Sequence, residues 1–233
     1  MKFFHKTAAV VALFSSVAIA APVQAISLSS TNEDSIADSY IGSAGVGTHF
    51  HDDPVSFGTP ADVVEVGDLG NEKIRGVAEF NLSSLIPLSS VSAANLKFDV
   101  FQQGGLFGQT PGAFNIDVFA FVGNGVENLS DFQISTSGLI GTFSTAGLSV
   151  GNTISFDATS IVNSFLTSGN QFLGVRLQAS SAPNGTAFVF DNFRLDAQQG
   201  GTSVPEPAST LGLLAFGALG AGALLKRPQQ DKA

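Results

Sequence analysis

The fold of this chain is decided by Leu96-Lys97-Phe98-Asp99-Val100, where apolar and charged side chains alternate. Successive side chains of a β-strand point to opposite faces, so this pattern predicts a strand with one buried and one solvated face. The same alternation recurs in 153–157 and 173–178, and the pairs Asn124-Gly125 and Asn184-Gly185 predict hairpin turns. Many short strands with Gly-rich turns predict an all-β protein, here an antiparallel β-sandwich of two sheets.

One segment departs from the two-residue period. Ile161, Val162, Phe165 and Leu166 recur at helical spacing, which predicts one short helix near 159–166. Thr159 or Ser160 is placed to cap the start of this helix, and Gly169 to close its end.

Composition excludes several classes of protein. Charged residues make up only 12% of the 233 residues, whereas the exposed faces of a helical protein are usually rich in Glu, Lys and Arg. The absence of cysteine excludes disulfides and thiol–zinc sites. A net charge of −9 argues against nucleic acid as a partner.

The N-terminal residues have the three-part layout of a secretory signal peptide. Lys2 and Lys6 precede an apolar run over 7–20, and small residues follow it. We expect a signal peptide over 1–25, cleaved after Ala25, with Ala20 as the alternative cleavage site. The secretion translocon is then a partner, and the body of the protein is exported.

The C-terminal residues have a second ordered pattern. Pro205-Glu206-Pro207 precedes an apolar stretch over 208–225, and Lys226 and Arg227 follow it. Eighteen helical residues span roughly 27 Å, close to the roughly 30 Å of a hydrocarbon core. This pattern predicts a single transmembrane helix with Lys226 and Arg227 as the cytoplasmic stop-transfer residues, so that the body lies outside.

Together these C-terminal features resemble the PEP-CTERM protein-sorting domain, over 204–233 in this chain. The resemblance implies processing by exosortase, a membrane transpeptidase-like enzyme, near the sorting motif Pro205-Glu206-Pro207. It also implies a Gram-negative bacterium that makes extracellular polysaccharide. The chain is then a membrane-anchored precursor that is passed to the cell surface or the extracellular matrix.

The body between the two signals, residues 26–203, has the length of one domain and is strongly acidic. It carries five basic and 17 acidic residues, a net charge of −12. Its sequence resembles the DNRLRE domain, a jelly-roll module related to carbohydrate-binding family 96. The matching segments are Arg75-Gly76-Val77-Ala78-Glu79-Phe80-Asn81-Leu82 and residues 57–58, 63–67, 91–98 and 154–162. Asn81 replaces the usual Asp, and residues 191–193 depart from the Ser-Arg-Glu of that family.

An acidic loop is the candidate metal site. Asp52, Asp53 and Asp62 are the candidate ligands, and His49 and His51 lie just before them. Carboxylate oxygens suit calcium, and carboxylates with histidine suit a transition metal such as zinc. No Asp-x-Asp-x-Asp-Gly loop is present, so this is not an EF-hand. The alternative is a solvated acidic loop that needs no cofactor.

Two further patterns have simpler interpretations. Gly147-Leu148-Ser149-Val150-Gly151 matches the Gly-x-Ser-x-Gly of hydrolases, but no helix is predicted after it, and we interpret it as a turn. Phe101, Phe107 and Phe114 flank a Gly-rich loop over 104–112; we expect them to fill the core rather than form an exposed sugar-binding patch. No catalytic residue is predicted.

The sequence therefore favours a non-enzymatic exported protein of the cell surface or extracellular matrix. Its β-sandwich would serve structure, adhesion or association with polysaccharide. One alternative is a calcium-dependent glycan-binding module, and a secreted polysaccharide hydrolase is the other.

Overall fold

The computed structural model describes residues 24–30, 39–43, 46–51, 63–70, 72–106 and 108–199. For 39–43 and 46–51 it describes the backbone alone. Residues Val23–Gly200 form one compact unit. The predicted signal peptide lies outside the described residues up to residue 23. The predicted C-terminal transmembrane helix also lies outside them. Among those that are described, no helix is both long and apolar enough to cross a membrane.

The described residues are mostly β. Their strands are β1 (Ala25–Ser29), β2 (Ser39–Ser43), β3 (Val46–His51), β4 (Val63–Asp68), β5 (Lys73–Asn81), β6 (Val91–Gln103), β7 (Asn115–Val122), β8 (Thr136–Ser144), β9 (Thr153–Asp157), β10 (Phe172–Ala179) and β11 (Thr186–Gln199). Within the same residues the single α-helix is α1 (Thr159–Thr167), and two short 3-10 turns span Ile86–Leu88 and Leu129–Phe132. The prediction of an all-β protein with one short helix is confirmed.

All pairs among the eleven described strands are antiparallel, and these strands belong to one sheet. The main path runs β8-β7-β10-β5-β4-β11-β6-β9; β1 adds to β11, and the β2–β3 hairpin adds to β5. The two ends of this path face each other, with the rings of Phe143 on β8 and Phe156 on β9 6.0 Å apart. The sheet is therefore nearly closed around the core.

This continuous sheet differs from the two separate sheets predicted from the sequence. β4 and β5 share only the pairs Gly67↔Ile74 and Asp68↔Lys73, at the tip of their hairpin. These pairs connect the two halves of the sheet by hydrogen bonds. The jelly-roll topology of the body stays a prediction.

The predicted register of β6 is confirmed. Leu96, Phe98 and Val100 are buried in the main core. The ring of Phe98 stacks on Phe193 at 4.8 Å and meets Phe190 edge-on at 5.4 Å. Both partners come from β11, so this aromatic group holds neighbouring strands together on the inner face of the sheet.

Helix α1 packs its apolar side on the core through Val162, Phe165 and Leu166. Its start differs from the prediction, since neither Thr159 nor Ser160 is the capping residue. Asp157 Oδ1 accepts hydrogen bonds from the Thr159 amide at 2.9 Å and from its hydroxyl at 2.6 Å. Thr159 Oγ1 in turn accepts from the Ala94 amide at 2.9 Å, which ties the helix to β6.

The end of α1 agrees with the prediction, but the hairpin turns do not. Gly169 follows the helix with a φ of 71°, the left-handed conformation that closes helices. Asn184-Gly185 leads from β10 into β11, and these two strands are not neighbours in the sheet. Asn124-Gly125 belongs to a long connection over 123–135 between β7 and β8. The hairpin prediction is therefore wrong at Asn184-Gly185. At Asn124-Gly125 the strands on either side do pair antiparallel, but the connection is longer than the predicted turn. Gly125 and Gly185 both take the positive φ that such turns require.

Candidate functional site

The outer face of β1, β11, β6 and β9 is polar, and we call it the polar face. Inward-pointing side chains alternate with outward-pointing ones along each strand, so the register places the polar side chains in rows across four strands. One row joins Ser27, Asp196, Asn95 and Asp157, the next joins Ser29, Arg194, Lys97 and Ser155, and the third joins Asp99 to Thr153.

Asp99 is the centre of one hydrogen-bond network on this face. Its carboxylate accepts from the Thr153 hydroxyl at 2.6 Å, from Asn192 Nδ2 at 2.6 Å and from the Arg194 guanidinium at 3.0 Å. Partial burial opposes ionisation, but the hydrogen bonds from Thr153, Arg194 and Asn192 outweigh it and lower the pKa of Asp99. Asn192 adopts a φ of 53° at a bulge of β11, which brings its amide to Asp99.

A second network is centred on Asp196, two rows away from Asp99. Asp196 accepts from Lys97 Nζ at 2.8 Å and from the Ser27 hydroxyl at 2.5 Å, and these two bonds lower the pKa of its carboxyl. A depression beside this pair is lined in part by Asn95 and Gln198. The polar face is thus an array of hydrogen-bonding side chains whose orientations are set by their neighbours.

A buried acid, Glu65, lies on β4, outside the polar face. Glu65 is fully buried beneath the loop 104–112; its Oε1 accepts from the Leu106 amide at 2.8 Å, and its Oε2 has no hydrogen-bond partner. Burial raises the pKa of Glu65 to about 7, although the bond from Leu106 acts in the opposite direction. A Cβ at Gly105 would overlap Glu65 Oε1, so the loop closes over this acid only with glycine there.

Buried charges also hold the loop 123–135 against the outer face of β5 and β10. Glu79 is fully buried, and its Oε2 accepts from the amides of Asn124 at 3.1 Å and Gly125 at 2.6 Å. The Glu79 amide donates to Glu127 Oε1 at 2.6 Å. Burial raises the pKa of Glu79, and Asp131 adds to this effect.

Two arginines complete this attachment. Arg176 Nη1 donates to the carbonyls of Asp131, Phe132 and Ile134 at 3.0–3.1 Å. The Arg75 guanidinium lies 4.1 Å from the centre of the Phe132 ring and donates to the Phe132 carbonyl. Burial, together with the neighbouring Arg75, lowers the pKa of Arg176 to about 10. This cluster was not predicted from the sequence, although single charged residues within otherwise apolar strand segments are a signal for it.

The candidate metal site in the acidic loop stays a prediction. Asp52, Asp53 and Asp62 lie outside the described residues, and His49 and His51 are described only as backbone positions of β3. The part of the chain with described side chains contains no group of three or more His, Asp or Glu that could hold a metal ion.

Two acids that follow Asp62 in the sequence, Glu65 and Asp68, are engaged in other contacts. Glu65 is enclosed by the loop 104–112, and Asp68 pairs with Lys73 and accepts from the Gly70 amide at 2.8 Å.

The hydrolase-like pentapeptide occupies a connection between strands. Residues 147–151 link β8 to β9, so a strand, not a helix, follows Ser149. A nucleophile elbow requires a strand before the serine and a helix after it, and this geometry differs. Phe114 lies in the core and Phe101 is half-buried beside Leu106, while Phe107 is outside the described residues.

The predicted processing residues fall at both ends of the chain. Ala25 is the first residue of β1, whereas Ala20 lies outside the described residues. The sorting residues Pro205, Glu206 and Pro207 and the stop-transfer residues Lys226 and Arg227 also lie outside them.

Comparison with known proteins locates one family feature. Residues 203–227 match the PEP-CTERM protein-sorting motif. No curated protein matches the chain. The motif supports an exported, membrane-anchored precursor that exosortase processes for the cell surface. The resemblance of the body to the DNRLRE jelly roll stays a prediction.

Proposed function

We propose that this chain is an exported, non-catalytic protein that exosortase processes at Pro205-Glu206-Pro207 and releases to the cell surface or extracellular matrix. The observation that carries this proposal is the sorting motif over 203–227. The secretion translocon would export the precursor, and a C-terminal helix would hold it in the membrane until it is processed. The β body would then remain outside the cell in a polysaccharide-rich environment.

Within that environment, the polar face is the surface we assign to polysaccharide association. Its side chains are donors and acceptors held in place by ion pairs such as Arg194–Asp99 and Lys97–Asp196. Ordered hydrogen-bonding groups lose little entropy when a ligand binds, which favours recognition of hydroxyl groups. The net charge of −12 on residues 26–203 favours a neutral polymer over an anionic one.

The sorting step is tested by deleting Pro205-Glu206-Pro207 in the producing bacterium. Two prolines hold this segment extended and free of helix, which suits an enzyme that grips the chain. We expect the deletion to leave full-length precursor in the membrane fraction and none of the processed form outside, as measured by immunoblot and intact mass.

Deletion of residues 200–202 is the matched control, because it removes three residues upstream and leaves the motif intact. The control should be processed and released normally. Normal processing of the variant without Pro205-Glu206-Pro207 would refute the role of exosortase.

Polysaccharide association is tested with the Asn95→Ala variant of the exported protein. Asn95 lies on the polar face beside the depression, and loss of one hydrogen bond of about 1 kcal/mol corresponds to roughly fivefold weaker binding. Co-sedimentation with purified extracellular polysaccharide measures the effect. Thr142→Ala is the control, because it also removes a polar side chain from a strand but lies on β8, outside the polar face. The Thr142 hydroxyl donates to Asp117. Equal binding by wild type and Asn95→Ala would contradict the assignment to this face.

A further inference from the structure

Strand β1 begins where the signal peptide is expected to end, and its pairing discriminates between the two candidate cleavage sites. Ala25 pairs with Gln198, and the pairing continues to Ser29 and Arg194 without a shift in register. At one end the Gln199 amide donates to the Gln24 carbonyl at 3.0 Å. At the other end the Ser30 amide donates to the Phe193 carbonyl at 3.3 Å.

These two bonds establish which residue pairs of the ladder are hydrogen-bonded. Hydrogen-bonded and non-hydrogen-bonded pairs alternate along antiparallel strands. The hydrogen-bonded pairs are therefore 24/199, 26/197, 28/195 and 30/193. The first of them involves Gln24, a residue that cleavage after Ala25 would remove.

Cleavage after Ala25 would also place a charged terminus at a hydrogen-bonded position of the β1–β11 ladder. The new α-ammonium would be on Ile26, whose pair with Ala197 is hydrogen-bonded and whose side chain packs against the core. Charge in a partly buried apolar position carries a desolvation cost. Cleavage after Ala25 would thus remove Gln24 and Ala25, two residues that pair with β11.

We propose that the signal peptide is cleaved between Ala20 and Ala21, so that the mature protein keeps Gln24 and Ala25 for strand β1. Ala18-Ile19-Ala20 supplies the small-x-small pattern that signal peptidase requires. The mature N-terminus then precedes β1 by several residues, and its charge lies outside the ladder. This inference rests on the proposed export of the chain.

The test is N-terminal sequencing and intact mass of the exported full-length protein and two variants. We expect the wild type to begin at Ala21. Ala20→Leu, which puts a large residue before the cleaved bond, should yield no Ala21 terminus, whereas Ala25→Leu should still yield it.

Each other result has a distinct meaning. A wild-type terminus at Ile26, or loss of processing in Ala25→Leu alone, would overturn the cleavage site while export stands. An intact Met1 on all three proteins would instead overturn the proposed export.

Discussion

Replacement of Phe98 by alanine is expected to lower the free energy of unfolding by about 3–5 kcal/mol, the range of large-to-small core substitutions. Phe98 is fully buried, and its ring contacts Phe143, Phe190 and Phe193 from two other strands. The loss would remove a large part of the roughly 5–15 kcal/mol that stabilises a typical domain. Urea unfolding of the exported protein measures it.

Leu139→Ala is the control for this substitution. Leu139 is a large apolar residue with 54% of its surface exposed, so its truncation should change stability by less than about 1 kcal/mol. A similarly small effect of Phe98→Ala would mean that Phe98 does not belong to the core.

The second large effect concerns pH and Glu65. An acid whose folded-state pKa is raised stabilises the fold below its unfolded-state value and loses that contribution as pH rises through the folded-state value. For Glu65 the window runs from 4.5 to about 7, and a shift of this size corresponds to about 3 kcal/mol. Glu65→Gln stays neutral throughout, so it should be more stable than wild type at pH 8 by about that amount and nearly equal to it near pH 4.5.

Unfolding free energies measured at several pH values check this expectation, with Asp157→Asn as the control of opposite sign. Hydrogen bonds from Thr159 lower the pKa of the exposed Asp157, so loss of its charge should destabilise the protein at neutral pH. Parallel pH profiles for wild type and Glu65→Gln would show that the pKa of Glu65 is the same in the folded and the unfolded protein.

The strands and the helix could be predicted because their signals are local. Alternation over Leu96, Phe98 and Val100 identifies β6 and its buried face. The helical spacing of apolar residues from Ile161 to Leu166 identifies α1, and the predicted end lies within one residue of the observed end. Neither inference requires knowledge of which strands are neighbours. The same limit explains why the hairpin turn predicted at Asn184-Gly185 was wrong, since a turn does not specify whether the strands on either side pair with each other.

The candidate site could be predicted only in part, for a related reason. The sorting motif is a continuous segment, so Pro205-Glu206-Pro207 can be recognised from its order alone. The polar face takes its residues from four strands, and Ser27 reaches Asp196 across a sequence separation of 169 residues. No pattern of residue spacing in the sequence predicts that contact.

The amino-acid sequence by itself therefore determined the strand-rich character of the body, its short helix and the buried side of β6. It also determined the order of features in the C-terminal sorting signal. The connection of all strands into one nearly closed sheet, the placement of Arg176 beneath the loop 123–135 and the raised pKa of Glu65 arose only with the tertiary structure. Hydrogen-bonded strand pairing and burial depend on segments distant along the chain. Local side-chain patterns cannot encode which of those segments meet.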